Sequence, residues 1–479
     1  MVAKWYDNAV MINRDPNWYH YIDDSSAEAC RKSIENYFSL YEANLTDVCL
    51  GVLEQTAIIP SDSFMWRGEK YLQKKENGCD VDYSDTTLKK LYKCFKEYNV
   101  DAVQIFIDQV KKLGIRPWIA LRMNDAHFGD AQTSFLHSDM FYEENAAGHS
   151  IGSKYGYFGH CYDFTYPRYR NAILGYIGEI LDKYDFFGLE LDFMREIRCF
   201  DYLENPDCHK IMTEYIGEIS KLVRTAEKRV GHSIKVSLRT CRCPDDAKAF
   251  GFDVKTLCDA GYIDVVIPTP RWSPTDSGIP IRMWRELLGE DIAIMGGIET
   301  NNFMGTTNLP KHSKAYAAAF YAQGADGIYY NNHEYWTERN REAWKVNRDT
   351  CLKGLREFVV LGQDCFAYDD RRYKPYPFAV AGKAALPLEV GLIKSSDEAT
   401  VTIDFEGDEV PVLSVGNLTG VKGKIIEPLA VPRQGGDLVL TPHTTVCYDI
   451  SGIAVESALT LEFEGQGTVH YINVTVDAK

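Results

Sequence analysis

The chain lacks the marks of several large function classes. No G-x-G-x-x-G follows its first strand-like run and no G-x-x-x-x-G-K-[ST] occurs anywhere, which removes the sequence grounds for a dinucleotide-binding fold or a phosphate-cradling loop. No basic stripe is visible and the net charge is -17. A nucleic-acid backbone is therefore excluded as partner, and an anionic membrane is disfavoured. There is no uninterrupted apolar run of 18 residues, and the opening MVAKWYDNAVMINRDPNW has no basic start, apolar centre or small-residue cleavage site. The expectation is a cytoplasmic chain, or a secreted one whose signal has been removed. The 13 cysteines are odd in number and follow no framework spacing, with only a C-x-C at Cys241 and Cys243. They read as reduced, structural thiols.

What is present is a regular alternation. Apolar strand-like runs at 9–13, 47–54, 116–123, 186–193, 234–239, 263–269, 291–299 and 326–332 are separated by segments of helical period, such as Ile173, Ile177, Ile180, Leu181 and Tyr184. Eight strands each followed by a helix predict a (β/α)8 barrel over residues 1–365. From about 370 onward the helical period disappears, and segments such as ATVTIDFEGD and ALTLEFEGQGTVHYINVTV predict an all-β sandwich over 366–479. No acid pair or histidine cluster is apparent in this tail, which reads as a packing or accessory domain.

A barrel of this kind builds its active site at the C-terminal ends of the strands. Polar residues stand at each of those ends: Arg14; Glu54; Arg122, Asn124, Asp125 and His127; Glu190, Asp192 and Arg195; Arg239; Arg271 and Trp272; Glu299; Asn332 and His333. In FFGLELDFMRE, side-chain alternation points Glu190 and Asp192 into the barrel, with Glu190 one layer deeper. The deeper carboxylate needs a partner, and Arg239 on strand five is the one expected for it. Asp192 then becomes the working acid at the rim. Strand seven ends MGGIET, which places Glu299 at the rim as a second carboxylate. Two carboxylates on opposite walls suit glycosidic bond cleavage, one protonating the leaving oxygen and the other acting as nucleophile or as base for water.

Trp18, Trp66, Trp272 and Trp336 follow strand ends and are candidate stacking surfaces for sugar rings. The arginines in excess of the acids would suit a carboxylated or sulfated sugar. The segment 124–165 holds four histidines, at 127, 137, 149 and 160, and is long enough to close one side of the mouth. Asp125, His127, Asp192 and His333 also allow a divalent metal, although no H-x-H or H-E-x-x-H spacing supports one. No cofactor is implied.

The runs RMNDAH (122–127) and GLELDFMRE (188–196) resemble a poorly characterised group of glycoside-hydrolase-like barrel proteins, related families of which carry a D-[FY]-x-R run matched here by Asp192 to Arg195. The resemblance spans most of residues 8–340. It implies a (β/α)8 fold, action on carbohydrate, and Asp192 as a functional acid. Better-known retaining families place the acid/base after strand four and a Glu nucleophile after strand seven, in the positions of Asp192 and Glu299. Their strand-four acid is usually a Glu preceded by Asn, which this chain lacks, and in amylase-like barrels the strand-four Asp is itself the nucleophile. The reading is a glycoside hydrolase with an oligosaccharide or glycoside as its substrate. The alternatives are a carbohydrate-binding barrel without turnover and a metal-dependent lyase or hydrolase.

Overall fold

A computed structural model describes residues 4–14, 16–41, 45–71, 83–127, 137–270, 278–299, 310–331, 342–360, 377–432 and 438–479. Eight parallel strands close into a barrel in chain order: β1 (Ala9–Arg14), β2 (Asp47–Leu53), β3 (Arg116–Arg122), β4 (Gly188–Asp192), β5 (Lys235–Thr240), β6 (Val265–Pro268), β7 (Ala293–Glu299) and β8 (Gly327–Asn331). The strands are buried along both faces, as expected where one face fills the barrel and the other meets the helices. Each lies within a residue or two of the run that predicts it, because a continuous apolar run of five to seven residues between helical segments leaves little other placement.

The described helices are α1 (Ala27–Phe38), α2 (Tyr83–Tyr92), α3 (Ala102–Lys112), α4 (Asp139–Ala146), α5 (Pro167–Lys183), α6 (Cys208–Val230), α7 (Pro244–Ala249), α8 (Val254–Asp259), α9 (Ile281–Leu288) and α10 (Pro310–Ala322). Their starts follow local chemistry. Ser26, Asp101 and Ser138 accept hydrogen bonds from Ala29, Gln104 and Phe141 amides at 3.1–3.2 Å, satisfying N–H groups that the first helical turn leaves open.

By its contacts the chain divides into two compact units, 11–267 and 1–10 with 268–479. In the first, Asp47 is fully buried and accepts from Arg116 Nε at 2.8 Å, Arg116 Nη2 at 2.6 Å and Trp118 Nε1 at 2.7 Å. These bonds lock β2 to β3 at the N-terminal end of the barrel. The Trp118 ring then packs against Gly188 on β4, where an added Cβ would stand 2.3 Å from ring carbons.

In the second unit, an antiparallel sheet is organised about the 21-residue β18 (Ala458–Ala478). The strands before it are β9 (Gly354–Val360), β10 (Phe378–Glu389), β11 (Glu398–Glu406), β12 (Val412–Val415), β13 (Leu418–Lys422), β14 (Lys424–Ile425), β15 (Ala430–Pro432), β16 (Leu438–Leu440) and β17 (Thr444–Asp449). β10 and β9 pair along one edge of β18, and β12 and β11 along the other. The sheet therefore recruits β9, which precedes position 366. Its apolar face, including Val401, Ile403, Phe405, Leu461 and Phe463, shares one core with Ala315 and Ala319 of α10. The chain passes closely there: Gly391, at φ +70°, would place a Cβ 2.6 Å from the Ala318 carbonyl oxygen.

Gly188→Ala should force Trp118 off its seat and cost about 1–3 kcal/mol, the usual range for overpacking a filled core. Urea denaturation checks this, and an unchanged midpoint would show that the Trp118 seat is not tight.

Candidate active site

The C-terminal ends of β1 to β5 converge on a wall of buried polar side chains. Six arginines (Arg14, Arg67, Arg122, Arg195, Arg239, Arg242) and five carboxylates (Glu54, Asp125, Glu190, Asp192, Glu196) are each no more than 9% exposed. Buried charge at this density persists only if it is internally paired, and the pairing decides what each residue is able to do.

Strand register sets the first pairing. In the parallel ladder Asp192 stands beside Arg122 of β3 on one side and Arg239 of β5 on the other, while Glu190 stands beside Ala120 and Ser237. Arg239, the partner expected for the deeper Glu190, meets Asp192 at its own level: its Nη1 lies 3.1 and 3.0 Å from the two carboxylate oxygens. Alternation identified the inward face correctly, but partner choice follows the level along the barrel axis, where Arg239 and Asp192 coincide. Asp192 Oδ1 also accepts the Met194 amide at 2.8 Å. Both oxygens are thus occupied as acceptors, an arrangement that suits a base or nucleophile and not a proton donor.

Glu190 is fully buried below it and ties three strands together. It accepts from the side-chain amide of Asn13 on β1 and from the Cys49 thiol on β2 at 3.4 Å. Burial and the Glu190 charge push the Cys49 thiol far above its ordinary range, so Cys49 stays a donor. The chain carries no local signal that Cys49 would serve a carboxylate.

Beside Asp192 runs a second network. Glu54 accepts Arg67 Nη1 at 2.6 Å on one oxygen and Arg122 Nη1 at 2.8 Å on the other. The same Arg122 Nη1 reaches Asp125 Oδ2 at 3.2 Å, and Arg195 Nε stands 3.5 Å from that oxygen. Arg67 also donates to Thr56 Oγ1, Tyr19 OH and Gln55 Oε1, each at 3.0 Å. Sequence reading missed Arg67, because it lies in a loop 13 residues past Glu54 that folds back to it through the Arg67 amide and the Ala57 carbonyl.

His127 bonds Asp125 through Nδ1, and its Nε2 lies 2.9 Å from the Gln55 amide nitrogen. Burial most of all, together with Arg195 and Arg122, pushes His127 below its usual range against the pull of Asp125. Burial alone would raise the Asp125 carboxyl, but His127, Arg195 and Arg122 outweigh it and hold that group well below the carboxylate range. The Gln55 amide nitrogen stands 2.5 Å from Nδ1 as well as 2.9 Å from Nε2, so it and Asp125 together hold the ring in place.

Other expected site residues have different tasks. Asn124 donates to the carbonyls of Tyr162 at 3.1 Å and Arg198 at 3.0 Å and accepts the Tyr162 amide at 3.0 Å. It joins the segments after β3 and β4, so its sequence-based role as a sugar ligand gives way to a structural one. Arg14 lies over the Tyr37 ring at 4.9 Å. Trp18 and Trp66 are 2% and 1% exposed and pack against Phe95, so they are core residues and not sugar platforms. Glu299 ends β7, but its side chain lies outside the described residues, as do Arg271, Trp272, Asn332, His333 and Trp336.

The four histidines of 124–165 do not converge. His149 bonds Glu144 at 2.9 Å, His160 faces Asn145 at 3.3 Å, and His137 donates from Nε2 to the His127 carbonyl at 2.9 Å while stacking on Phe141. Burial holds His137 at about 4 instead of 6.5.

No protein-family model matches the sequence, and no curated protein matches it. Among solved structures the chain is similar to a GH29 fucosidase of Ruminococcus gnavus in complex with fucose, at 11% identity over 99% of this chain and 93% of that one, with TM-score 0.34. It is also similar to a multi-modular cell-surface chitinase of a Paenibacillus species, at 9% identity over 97% of this chain and 56% of that one, with TM-score 0.40. A third is a family GH18 chitinase of Chromobacterium violaceum, at 10% identity over 78% and 77%, with TM-score 0.32. Likenesses this low bear on neither substrate nor mechanism.

Because the folded chain holds His137 neutral down to about pH 4, acidification protonates the unfolded chain first. Stability contributed at neutral pH should then be lost as pH falls from 6.5, levelling near 4, by up to about 3 kcal/mol. His137→Gln retains a donor for the His127 carbonyl and should lose less over that interval in urea titrations. Equal losses in variant and wild type would contradict this assignment.

Proposed function

We propose that the chain is a glycoside hydrolase whose reaction takes place at the C-terminal mouth of the barrel, with Asp192 as the carboxylate that attacks the anomeric carbon or activates water. One observation carries this reading: a carboxylate at the end of β4 whose two oxygens are held by Arg239 and the Met194 amide. Such a group is aimed and kept as an acceptor before any substrate arrives, and that fixed orientation is worth more in a water-poor site than in solution. Breaking a glycosidic bond also needs a proton for the leaving oxygen. Glu299, the last residue of β7, is the proposed donor.

Among the described arginines of the wall, Arg122, Arg67, Arg195 and Arg239 are already engaged with acids of the protein, which supports a glycan of few negative charges over a heavily sulfated one. In this reading the network of Glu54, Arg67, Arg122, Asp125 and His127 is the frame that holds the β2 and β3 side of the mouth, and Arg122, beside Asp192 in the ladder, links that frame to the attacking group.

Asp192→Asn and Glu299→Gln should each lower turnover of a nitrophenyl glycoside or oligosaccharide by at least the roughly 10²–10⁴-fold that acid–base catalysis supplies, with the fold retained at the assay temperature by circular dichroism and with Asp192→Asn less stable than wild type because it leaves Arg239 unpaired. Wild-type-like turnover in either variant removes that residue from the mechanism. Stabilisation of the wild type by a sugar that is never cleaved would instead favour a binding protein.

A further inference from the structure

In the antiparallel sheet, three side chains far apart in sequence meet at one end of β11. Ligand atoms of Glu406, His443 and His470 all lie within 4.8 Å of one another. His470 Nε2 is 2.9 Å from Glu406 Oε2, His443 Nε2 is 3.9 Å from the same oxygen, and the two imidazoles stack at 4.1 Å. No histidine cluster is apparent in the sequence of this segment, because Glu406 ends β11, His443 just precedes β17 and His470 lies in β18, and the three follow no short-motif spacing.

The backbone explains how they meet. β11 lies between β18 and β17. Phe405 pairs with Thr444 on β17, so the next step along the antiparallel ladder sets His443 opposite Glu406. On the other side Asp404 pairs with Tyr471 but Phe405 pairs with Val469, which leaves His470 as the extra residue of a β-bulge. Bulges re-aim side chains, and this one directs a histidine toward Glu406.

A fourth residue gives the cluster its chemistry. Asp404 is buried, and its carboxylate accepts from His443 Nδ1 at 3.0 Å and from the His443 amide at 3.1 Å. The Nδ1 bond fixes the tautomer, so the lone pair of His443 lies on Nε2, the nitrogen that faces Glu406. A carboxylate behind a histidine whose other nitrogen faces a second histidine and an acid is the outer-shell arrangement of metal-binding imidazoles.

We infer that Glu406, His443 and His470 form a binding site for a borderline divalent transition metal of the zinc class, with Asp404 orienting His443 and water completing the coordination. Bond lengths of about 2.0–2.2 Å to nitrogen and oxygen in a tetrahedral zinc site separate the ligand atoms by roughly 3–3.5 Å; the trio lies within 4.8 Å, and binding would turn the two stacked rings so that their in-plane lone pairs converge on the ion. Two imidazoles select against calcium and magnesium, which prefer all-oxygen shells. The ion would clasp β11, β17 and β18 at one end of the sheet. It lies within the antiparallel sheet and takes no ligand from the barrel strands, so it is independent of the glycosidase reading.

The test uses the full chain stripped of metal, with Co²⁺ as a spectroscopic probe and Zn²⁺ in calorimetry and thermal unfolding. One equivalent of Co²⁺ should give the visible bands of a low-coordinate nitrogen and oxygen site, and Zn²⁺ should raise the unfolding temperature where Ca²⁺ and Mg²⁺ do not. His443→Gln and His470→Gln should each abolish the bands and the shift while keeping the far-ultraviolet circular dichroism of wild type. Asp404→Asn should keep the bands and weaken binding 10- to 100-fold. Absence of the bands in wild type, or their persistence in the double histidine variant, would overturn the proposal. Thiolate charge-transfer bands would likewise overturn it, by assigning the ion to cysteines.

Discussion

The mouth of this barrel depends on the ion pair between Asp192 and Arg239. Both are almost wholly buried, and removing either would strand the other charge in a site with little water, a loss that typically reaches about 3–5 kcal/mol. The pair exists because β4 and β5 run parallel in a register that brings residues 192 and 239 level. The same register leaves Glu190 one layer lower, where uncharged donors on β1 and β2 hold it. Two acids that look equivalent in FFGLELDFMRE are separated by a single layer into an anchor and an oriented acceptor.

Around that pair, the wall is arranged so that most polar atoms serve one another. Glu54 is shared by two arginines, Asp125 is approached by two arginines and a histidine, and Gln55 joins His127 to Arg67. Shared acceptors of this kind fix the rotamers of the side chains that meet on them. The barrel end opposite the mouth is secured differently, by Asp47 with Arg116 and Trp118 and by the ring of Trp118 on Gly188. The Asp47 clamp and the charged wall thus occupy opposite ends of the same strands.

The barrel was legible in the chain because eight apolar runs at regular spacing admit few other folds, and the inward direction of Glu190 and Asp192 followed from strand alternation. Partners were less legible. Which acid Arg239 meets depends on stagger between strands, which a single sequence does not encode locally, and Arg67 returns to Glu54 only through loop geometry. Residue type also misled: Trp18 and Trp66 look like sugar platforms by position but are large apolar bodies that the helical layer buries, and Asn124 looks like a sugar ligand but spends its amide on two backbone segments. The cluster of Glu406, His443 and His470 was invisible for the same reason as the Arg239 pairing, since cross-strand register and a bulge create it.

The central claim is that Asp192 acts as an acceptor and not as the proton donor. It is tested most directly by comparing Asp192→Asn with wild type on glycosides of one sugar carrying leaving groups of increasing acidity. Loss of a nucleophile or base should depress kcat/KM by a similar factor across the whole series, since bond formation at the sugar is impaired whatever departs. Loss of a proton donor would spare the most acidic leaving group, which departs without a proton. A uniform loss is the result predicted here, and near-normal cleavage of the most activated glycoside would contradict it.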